Sequence, residues 1–232
     1  MKIKVKNNFN FWGCATIMEK ITVIIPARNE QRTIGKIVNL VKENKNVKQI
    51  IVVDNNSSDD TAKIAVNAGA EVVFCEKQGK GYAMETGLAQ VKNDIVVFLD
   101  ADIEDYQSNL IELLTDDIIN DKVDFTKSTF ERKGGRVTEL VAKPLLKIAY
   151  PELPSFSQPL SGMIAGKKEV FDQITFEKDY GVDVGILLDI IALKVRYKEV
   201  NIGKLTNDQH EWSFLNKMAE EVMMAIIKRK YK

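Results

Sequence analysis

The chain has 232 residues, 45% of them hydrophobic and 28% charged, so it can fill the core of one sizeable domain. Its 33 basic and 33 acidic side chains cancel, which excludes a protein drawn by its overall charge to nucleic acid or to an anionic membrane. No uninterrupted apolar run approaches about 18 residues, so we expect no stable membrane insertion.

Cys14 and Cys75 belong to no paired or metal-binding motif, which predicts reduced thiols and a cytoplasmic protein. Residues 1–19 lack the continuous apolar core of a signal peptide, and we expect them to form a disordered leader. The sequence leaves open whether Met1 or Met18 is the true start. We predict that residues 20–232 form a single domain.

Strand and helix patterns alternate four times between residues 20 and 102. Apolar, β-branched segments predict strands at 21–25, 49–53, 71–75 and 95–99. Helices are predicted at 31–44, from about 59 to 69, and from a flexible loop at 79–81 through residue 91. Such alternation with short connections predicts an α/β fold, a doubly wound and mostly parallel sheet.

Residues 103–232 have a less regular pattern. We predict helices at 107–119, 138–150, 181–193 and 213–230, and strands at 123–130 and 195–202. Pro144 marks a turn or kink in the second of these helices. The terminal helix is amphipathic, with one apolar face made by Leu215, Met218, Val222, Ala225 and Ile226.

The fourth predicted strand ends in two aspartates, Asp100 and Asp102. Residues i and i+2 of an extended chain point to the same side, so both carboxylates can face one ligand at the carboxyl edge of the sheet. Paired hard oxygen donors suit Mg²⁺ or Mn²⁺ bound to phosphate. Two solvated turn residues are the alternative interpretation of an isolated Asp-x-Asp pair.

Four segments, at 23–30, 51–61, 79–81 and 100–102, resemble in order and spacing the nucleotide-sugar glycosyltransferases of family 2. That family has the GT-A fold, so the resemblance implies a nucleotide-binding half at 20–102 and an acceptor-binding half at 103–232. It also implies a metal-dependent hexosyltransferase that uses a UDP-sugar, with UDP-glucose as the expected donor.

The resemblance also assigns a donor site. It implies nucleoside contacts in the first turn, made by Pro26, Ala27, Arg28, Asn29 and Glu30. It implies uracil contacts from Asp54 and Asn55, ribose contacts from Asp100 with Ala101, and a sugar-facing turn made by Tyr180, Gly181, Val182 and Asp183. Lys80 would hold the diphosphate as a mobile point charge, and Asp102 would bind the metal. Without the resemblance, a surface ion pair between Arg28 and Glu30 and a simple turn at Asn55 are the alternatives.

Further segments, at 135–140, 158–162 and 180–185, resemble a narrower group of the family, the transferases that place glucose on 3-phosphoglycerate. This implies a small anionic acceptor, retention of the anomeric configuration, and acceptor contacts from Gly135, Arg136, Val137 and Thr138. Arg132 and Lys133 add positive charge nearby. A solvated loop followed by a helix cap is the alternative.

The chain departs from the family pattern at three places. Asp183 and Met163 stand where the family more usually has Glu. The metal-binding histidine of the family falls either on His210, the sole histidine, or, counting from the segment 201–203, on Asn207. The sequence leaves both assignments open.

Other functions stay open beside this one. They are a family 2 transferase acting on polyprenyl phosphate or a surface glycan, and a non-catalytic nucleotide-sugar binding protein. A sugar-nucleotide pyrophosphorylase is disfavoured because no glycine-rich basic loop follows the first strand, and a dehydrogenase because no Gly-x-Gly-x-x-Gly does. The sequence also leaves open whether the chain forms a homodimer.

Overall fold

The computed structural model describes residues 20–131, 135–205 and 211–231. Seven strands of this part of the chain form one sheet in the order β3-β2-β1-β4-β6-β5-β7. The strands are β1 (Ile21–Ala27), β2 (Val47–Asp54), β3 (Glu71–Phe74), β4 (Ile95–Phe98), β5 (Phe125–Glu131), β6 (Ile164–Lys167) and β7 (Tyr197–Lys204).

The helices alternate with the strands in the first half and cluster in the second. They are α1 (Ile34–Lys42), α2 (Thr61–Ala68), α3 (Lys80–Leu88), α4 (Leu110–Ile119), α5 (Lys143–Ala149), α6 (Lys168–Phe171), α7 (Val182–Ala192) and α8 (Trp212–Lys230), with a π-helical turn at Thr138–Ala142. None of the described helices has both the length and the apolar character that crossing a membrane would require.

The first four strands confirm the predicted doubly wound half. β1 pairs in parallel with β2 and β4, and β2 pairs in parallel with β3. All four residues of β4 are buried, as a strand covered on both faces should be. The parallel pairing brings the carboxyl ends of these strands, and the polar residues that follow them, to one edge.

The predicted loop at 79–81 is wrong in part, because α3 begins at Lys80. Gly79 precedes it with a φ of 146°, which residues with a side chain rarely adopt. A Cβ on Gly81 would overlap the backbone carbonyl oxygen of Glu177, so the start of α3 packs tightly against the segment before α7. Lys80 is therefore fixed at a helix start.

The second half contains two elements that the sequence patterns did not predict, β6 and α6. β6 has only four residues, including Gly166, and shows no alternation of apolar and polar side chains. It pairs antiparallel with both β4 and β5, while β5 and β7 are parallel. This short strand joins the predicted halves into one sheet.

The helix predicted at 138–150 is divided into the π-helical turn and α5. The backbone stays helical from the π-helical turn through Pro144 into α5, so Pro144 accompanies the irregular part of this helix without ending it. Cys75 follows β3 as a buried free thiol, and Cys14 lies outside the described residues, as does the predicted leader up to residue 19.

Three groups of buried apolar side chains hold the layers together. One joins a face of the sheet to α1 and α4, and a second joins the other face to α3 and α7. The third lies between the π-helical turn, α7 and α8, and contains Val222, Ala225 and Ile226 from the predicted apolar face of α8. Leu215 and Met218, from the same face, are half-buried against it. This third group sets α8 beside the carboxyl edge of the sheet.

Candidate active site

A cavity of about 460 Å³ opens at the carboxyl edge of β1 and β4. Most of the predicted site residues line it, from both halves of the chain: Pro26, Ala27, Arg28, Glu30, Asn55, Lys80, Asp100, Ala101, Asp102, Gly135, Arg136, Val137, Thr138, Tyr180 and Asp183. Asn29, Asp54, Gly181 and Val182 are not in its lining. The π-helical turn and α8 close the side opposite the sheet.

Lys80 lies between two carboxylates. Its Nζ is 2.8 Å from Asp100 Oδ1 and 2.8 Å from Asp183 Oδ2. Burial by itself would lower the pKa of Lys80, but the charges and hydrogen bonds of the two aspartates raise it above its ordinary value. Lys80 is thus a permanent cation held in place, which differs from the mobile point charge that the sequence suggested.

Asp183 lies in the first turn of α7 and is 2% exposed. Burial raises the pKa of its carboxyl, and the charge of Lys80 opposes that rise. Oδ2 accepts the bond from Lys80, whereas the buried Oδ1 has no hydrogen-bond partner within the described residues. A buried acceptor without a donor is costly, so this oxygen is suited to a hydroxyl of a bound ligand.

Asp100 and Asp102 follow β4, and both are partly exposed in the cavity. The hydroxyl of Tyr106 donates to the Asp100 carbonyl oxygen at 2.9 Å and braces the turn. Burial, followed by the negative charges of Asp100 and Asp102, raises the pKa of Tyr106 well above its usual range. The charges of Asp100 and Asp102 thus act on the same turn that Tyr106 braces.

The donor set fits Mg²⁺ or Mn²⁺. Asp102 offers a hard carboxylate at the cavity wall, and no group of three or more acidic, His or Cys side chains converges as a metal cage among residues 20–131, 135–205 and 211–231. An ion with few protein ligands keeps positions for phosphate and water, which is how Mg²⁺ is usually bound. His210 and Asn207 lie outside the described residues.

At the other end of the donor region, Asn55 connects the strand ends to the loop before α3. Its Nδ2 donates to the carbonyl oxygens of Cys75 and Lys77 at 3.1 and 2.7 Å, and its Oδ1 accepts from Gly79 N at 2.8 Å. Asn55 therefore shapes the backbone that leads to Lys80, in addition to lining the cavity.

Asp54 and Asn29 shape turns beside the cavity. Asp54 Oδ1 accepts from Ser57 N at 3.1 Å, and Asn29 Oδ1 accepts from Ser58 N at 2.8 Å. Asn29 has a φ of 59°, a conformation that Asn tolerates better than most residues. Gly181 and Val182 lie at the start of α7, where the side chain of Val182 is buried in the core beneath the cavity.

The predicted acceptor residues also line the cavity. The Arg136 guanidinium carbon lies 4.7 Å from the ring centroid of Trp212, at the start of α8. Thr138 is buried, and its Oγ1 has no hydrogen-bond partner within the described residues. A planar guanidinium and a buried hydroxyl together suit a carboxylate or a phosphate. Arg132 and Lys133 lie outside the described residues.

Sequence reasoning missed one charged residue beside this site, Lys127 in β5. Its side chain is 1% exposed, and its Nζ donates to the Ser161 carbonyl oxygen at 2.7 Å. The sequence contains a signal for it, because Lys127 occupies the same face of the strand as Phe125, where an apolar residue would be expected.

Comparison with known proteins agrees with the motifs. Residues 22–174 match the model of glycosyl transferase family 2. Glucosyl-3-phosphoglycerate synthase of Petrotoga mobilis is 33% identical in an alignment 238 residues long, gaps included. The alignment covers 90% of this chain and 73% of that protein. The synthase of the same name from Mycolicibacterium smegmatis is also 33% identical, over 90% of this chain and 77% of its own length.

Solved structures of similar shape include glucosyl-3-phosphoglycerate synthase of Mycobacterium tuberculosis with Mg²⁺ and UDP. It has a TM-score of 0.87 and 33% identity, and the match covers 92% of this chain and 80% of that one. The same enzyme with Mn²⁺, UDP-glucose and phosphoglyceric acid matches with a TM-score of 0.87 and 32% identity over the same shares. With the matched family model and these relatives, the chain belongs to glycosyl transferase family 2.

Proposed function

We propose that this protein transfers glucose from UDP-glucose to 3-phosphoglycerate, with Mg²⁺ or Mn²⁺ as the cofactor. The observation that carries the proposal is that donor-motif and acceptor-motif residues line one cavity together, among them Lys80, Asp102, Arg136 and Thr138. The similar M. tuberculosis enzyme has been solved with this donor, acceptor and metal. We also propose a cytoplasmic location, because the sequence predicts that both cysteines are reduced thiols.

In this proposal, the ends of β1 and β2 bind the nucleoside, while Lys80 and Asp102 hold the diphosphate end. Asp102 would hold the metal, which supplies Lewis-acid stabilisation of the departing UDP. Lys80 keeps its positive charge between Asp100 and Asp183, so it can share the charge that develops on the leaving phosphate. These two ion pairs fix Lys80 before the substrate arrives.

Asp183 orients the sugar. Its Oδ1 is buried and unpaired within the described residues, so a glucose hydroxyl that donates to it removes an unfavourable state of the free enzyme. The shorter side chain of Asp, compared with the Glu more usual in the family, is compatible with this role because Lys80 ties Oδ2 in place.

The acceptor is bound at the far end of the cavity. Arg136 and Thr138 bind its carboxylate or phosphate and direct its hydroxyl towards the sugar. None of the described residues is assigned as a nucleophile, and the leaving phosphate accepts the proton of the attacking hydroxyl. Retention of the anomeric configuration is also part of the proposal. The NMR coupling constant of the anomeric proton in the product tests it.

The experiment is a nucleoside-diphosphate-release assay, which detects UDP or GDP, over a panel of UDP- and GDP-sugars and phosphorylated acids, with and without Mg²⁺ or Mn²⁺. We expect turnover with UDP-glucose and 3-phosphoglycerate that depends on the metal. Transfer only to lipid extracts would replace the proposal by the polyprenyl-phosphate alternative. UDP binding without transfer to any acceptor would indicate a non-catalytic binding protein.

A further inference from the structure

Two neighbouring residues of β5 hold Ser161. Lys127 Nζ donates to the Ser161 carbonyl oxygen at 2.7 Å, and the hydroxyls of Ser128 and Ser161 are 2.5 Å apart. The Ser161 hydroxyl also accepts from Met163 N at 3.3 Å. The side chains of Lys127, Ser128, Ser161 and Met163 are all buried. Their hydrogen bonds therefore fix residues 160–163, which form the turn before β6, from both faces of β5.

The turn before β6 also contacts the ion pair between Lys80 and Asp100. A Cβ on Gly162 would overlap both Lys80 Nζ and Asp100 Oδ1, which leaves no space between the Gly162 backbone and this ion pair. Leu160, Ser161 and Met163 line the cavity beside it. A shift of the turn would therefore alter where Lys80 and Asp100 can lie.

Lys127 is a charged group in a place where charge is unfavourable. Its pKa is lowered to about 8, mainly by burial and also by the positive charge of Lys80, although the negative charges of Asp183, Asp100 and Glu199 oppose this shift. An apolar side chain of similar volume often costs a fold nothing at a buried charged site. Packing alone therefore gives no reason for a lysine here.

We propose that Lys127 is a positioning residue for the transfer reaction: through Ser161 it holds the turn before β6 against the Lys80–Asp100 ion pair, so that Lys80 faces the diphosphate. The inference rests on the proposed function, because it assigns the diphosphate to Lys80. Lys127 itself does not line the cavity. It acts on the site from the layer of residues behind the cavity wall.

The test compares Lys127→Met with wild type by three measurements: thermal unfolding, the affinity for UDP with and without Mn²⁺ by calorimetry, and kcat and KM. We expect an unchanged or higher Tm, UDP binding weakened about tenfold, and kcat/KM lowered about ten- to a hundredfold, since small displacements of binding groups cost this much. Lys167→Met is the matched control, because Lys167 pairs with Asp121 and Asp124 away from the cavity and should leave UDP affinity unchanged.

A folded Lys127→Met protein with wild-type UDP affinity and turnover would overturn the inference. If Lys127→Met does not fold, Lys127→Gln tests the inference instead, because its neutral amide ends one bond short of the position of Nζ and loses the bond to the Ser161 carbonyl oxygen. Unchanged UDP affinity and turnover in that variant would overturn the inference as well. Wild-type protein that binds UDP but transfers no sugar would contradict the proposed function alone, and the UDP affinities of the variants would still decide the role of Lys127.

Discussion

Lys80, Asp100 and Asp183 place one positive and two negative charges within hydrogen-bonding distance, in a space where the Lys80 and Asp183 side chains are largely withdrawn from water. Asp102 adds another carboxylate to the same wall. The carboxylates outnumber the cation, so the local field favours a divalent ion beside Asp102. This arrangement of individual side chains fits the metal-bound diphosphate of the proposed reaction.

Asp102→Asn should abolish turnover, because the amide is a neutral and weaker ligand for the metal. We expect kcat/KM to fall by about a thousandfold or more, given the several kcal/mol that a Lewis acid contributes to the transition state. UDP release and thermal unfolding measure activity and folding separately. Asp116→Asn, on the exposed face of α4, is the control, and a comparable loss there would remove the case for Asp102.

Lys127 should give the protein a pH-dependent stability. Its pKa is about 8 in the fold, against the ordinary lysine value of 10.5 in the unfolded chain, so between these limits the unfolded chain binds a proton that the folded one has lost. The contribution of this group to stability is full above pH 10.5 and is lost as the pH falls through about 8.

Urea unfolding of wild type and Lys127→Met from pH 7.5 to 10 measures this effect. The wild-type free energy of unfolding should rise relative to that of the variant, by at most about 1.4 kcal/mol per pH unit. Parallel pH curves for the two proteins would mean that the Lys127 pKa is not lowered.

At the scale of elements, α8 forms a wall of the cavity and is fixed to the rest of the fold by Arg229. Arg229 Nε donates to Asp189 of α7 at 2.7 Å, and its other nitrogens donate to Glu177 at 2.7 Å and to the Thr175 carbonyl at 3.0 Å. Its side chain is only 7% exposed. The same segment, near Glu177, packs on the start of α3, so one arginine joins α8, α7 and the helix that carries Lys80.

Arg229→Met should lower the free energy of unfolding by about 2–3 kcal/mol, because it leaves the partly buried Asp189 without its cation and Glu177 with only the exposed Lys228. Urea unfolding measures the change. Lys228→Met is the matched control: Lys228 also pairs with Glu177, at 3.1 Å, but is 56% exposed and should contribute less than about 0.5 kcal/mol. Equal losses in the two variants would contradict the role of Arg229.

At the scale of the whole molecule, the site exists because β6 inserts between β4 and β5. Asp100 and Asp102 directly follow β4, and the turn before β6 packs against Lys80. The residues that follow β5 in sequence include the predicted acceptor residues 135–138, which line the same cavity. The predicted acceptor residues 135–138 and the predicted donor residues at the ends of β1 and β4 therefore share a cavity although about 30 to 110 positions separate them in sequence.

Arg136→Ala should change the KM of the acceptor without changing the KM of the donor. We expect KM for 3-phosphoglycerate to rise about ten- to a hundredfold, since charged hydrogen bonds contribute about 1.5–3 kcal/mol, with KM for UDP-glucose nearly unchanged. Steady-state kinetics with each substrate varied in turn measures this. Arg32→Ala, at an exposed ion pair with Glu104, is the control, and an unaltered acceptor KM for Arg136→Ala would show the acceptor assignment to be wrong.

Much of the fold was readable from local patterns. β1, β2 and β4 are apolar runs, and Gly69, with a φ of 101°, ends α2 where the sequence predicted. β6 was not readable, because a four-residue strand with a glycine has no period and is stabilised by its two antiparallel neighbours. The start of α3 at Lys80 was missed because its packing on Glu177 is a long-range contact.

The sequence by itself determined the parallel nucleotide-binding half, the aspartate pair at its edge and the family resemblance, because period, apolar content and motif spacing are local properties of the chain. Only the tertiary structure decided that Lys80 is held by Asp100 and Asp183, that Asp183 keeps one buried oxygen for a ligand, and that Lys127 lies behind the site. These features depend on which distant side chains meet and on how far water is removed from them, and neither quantity is encoded in any short segment.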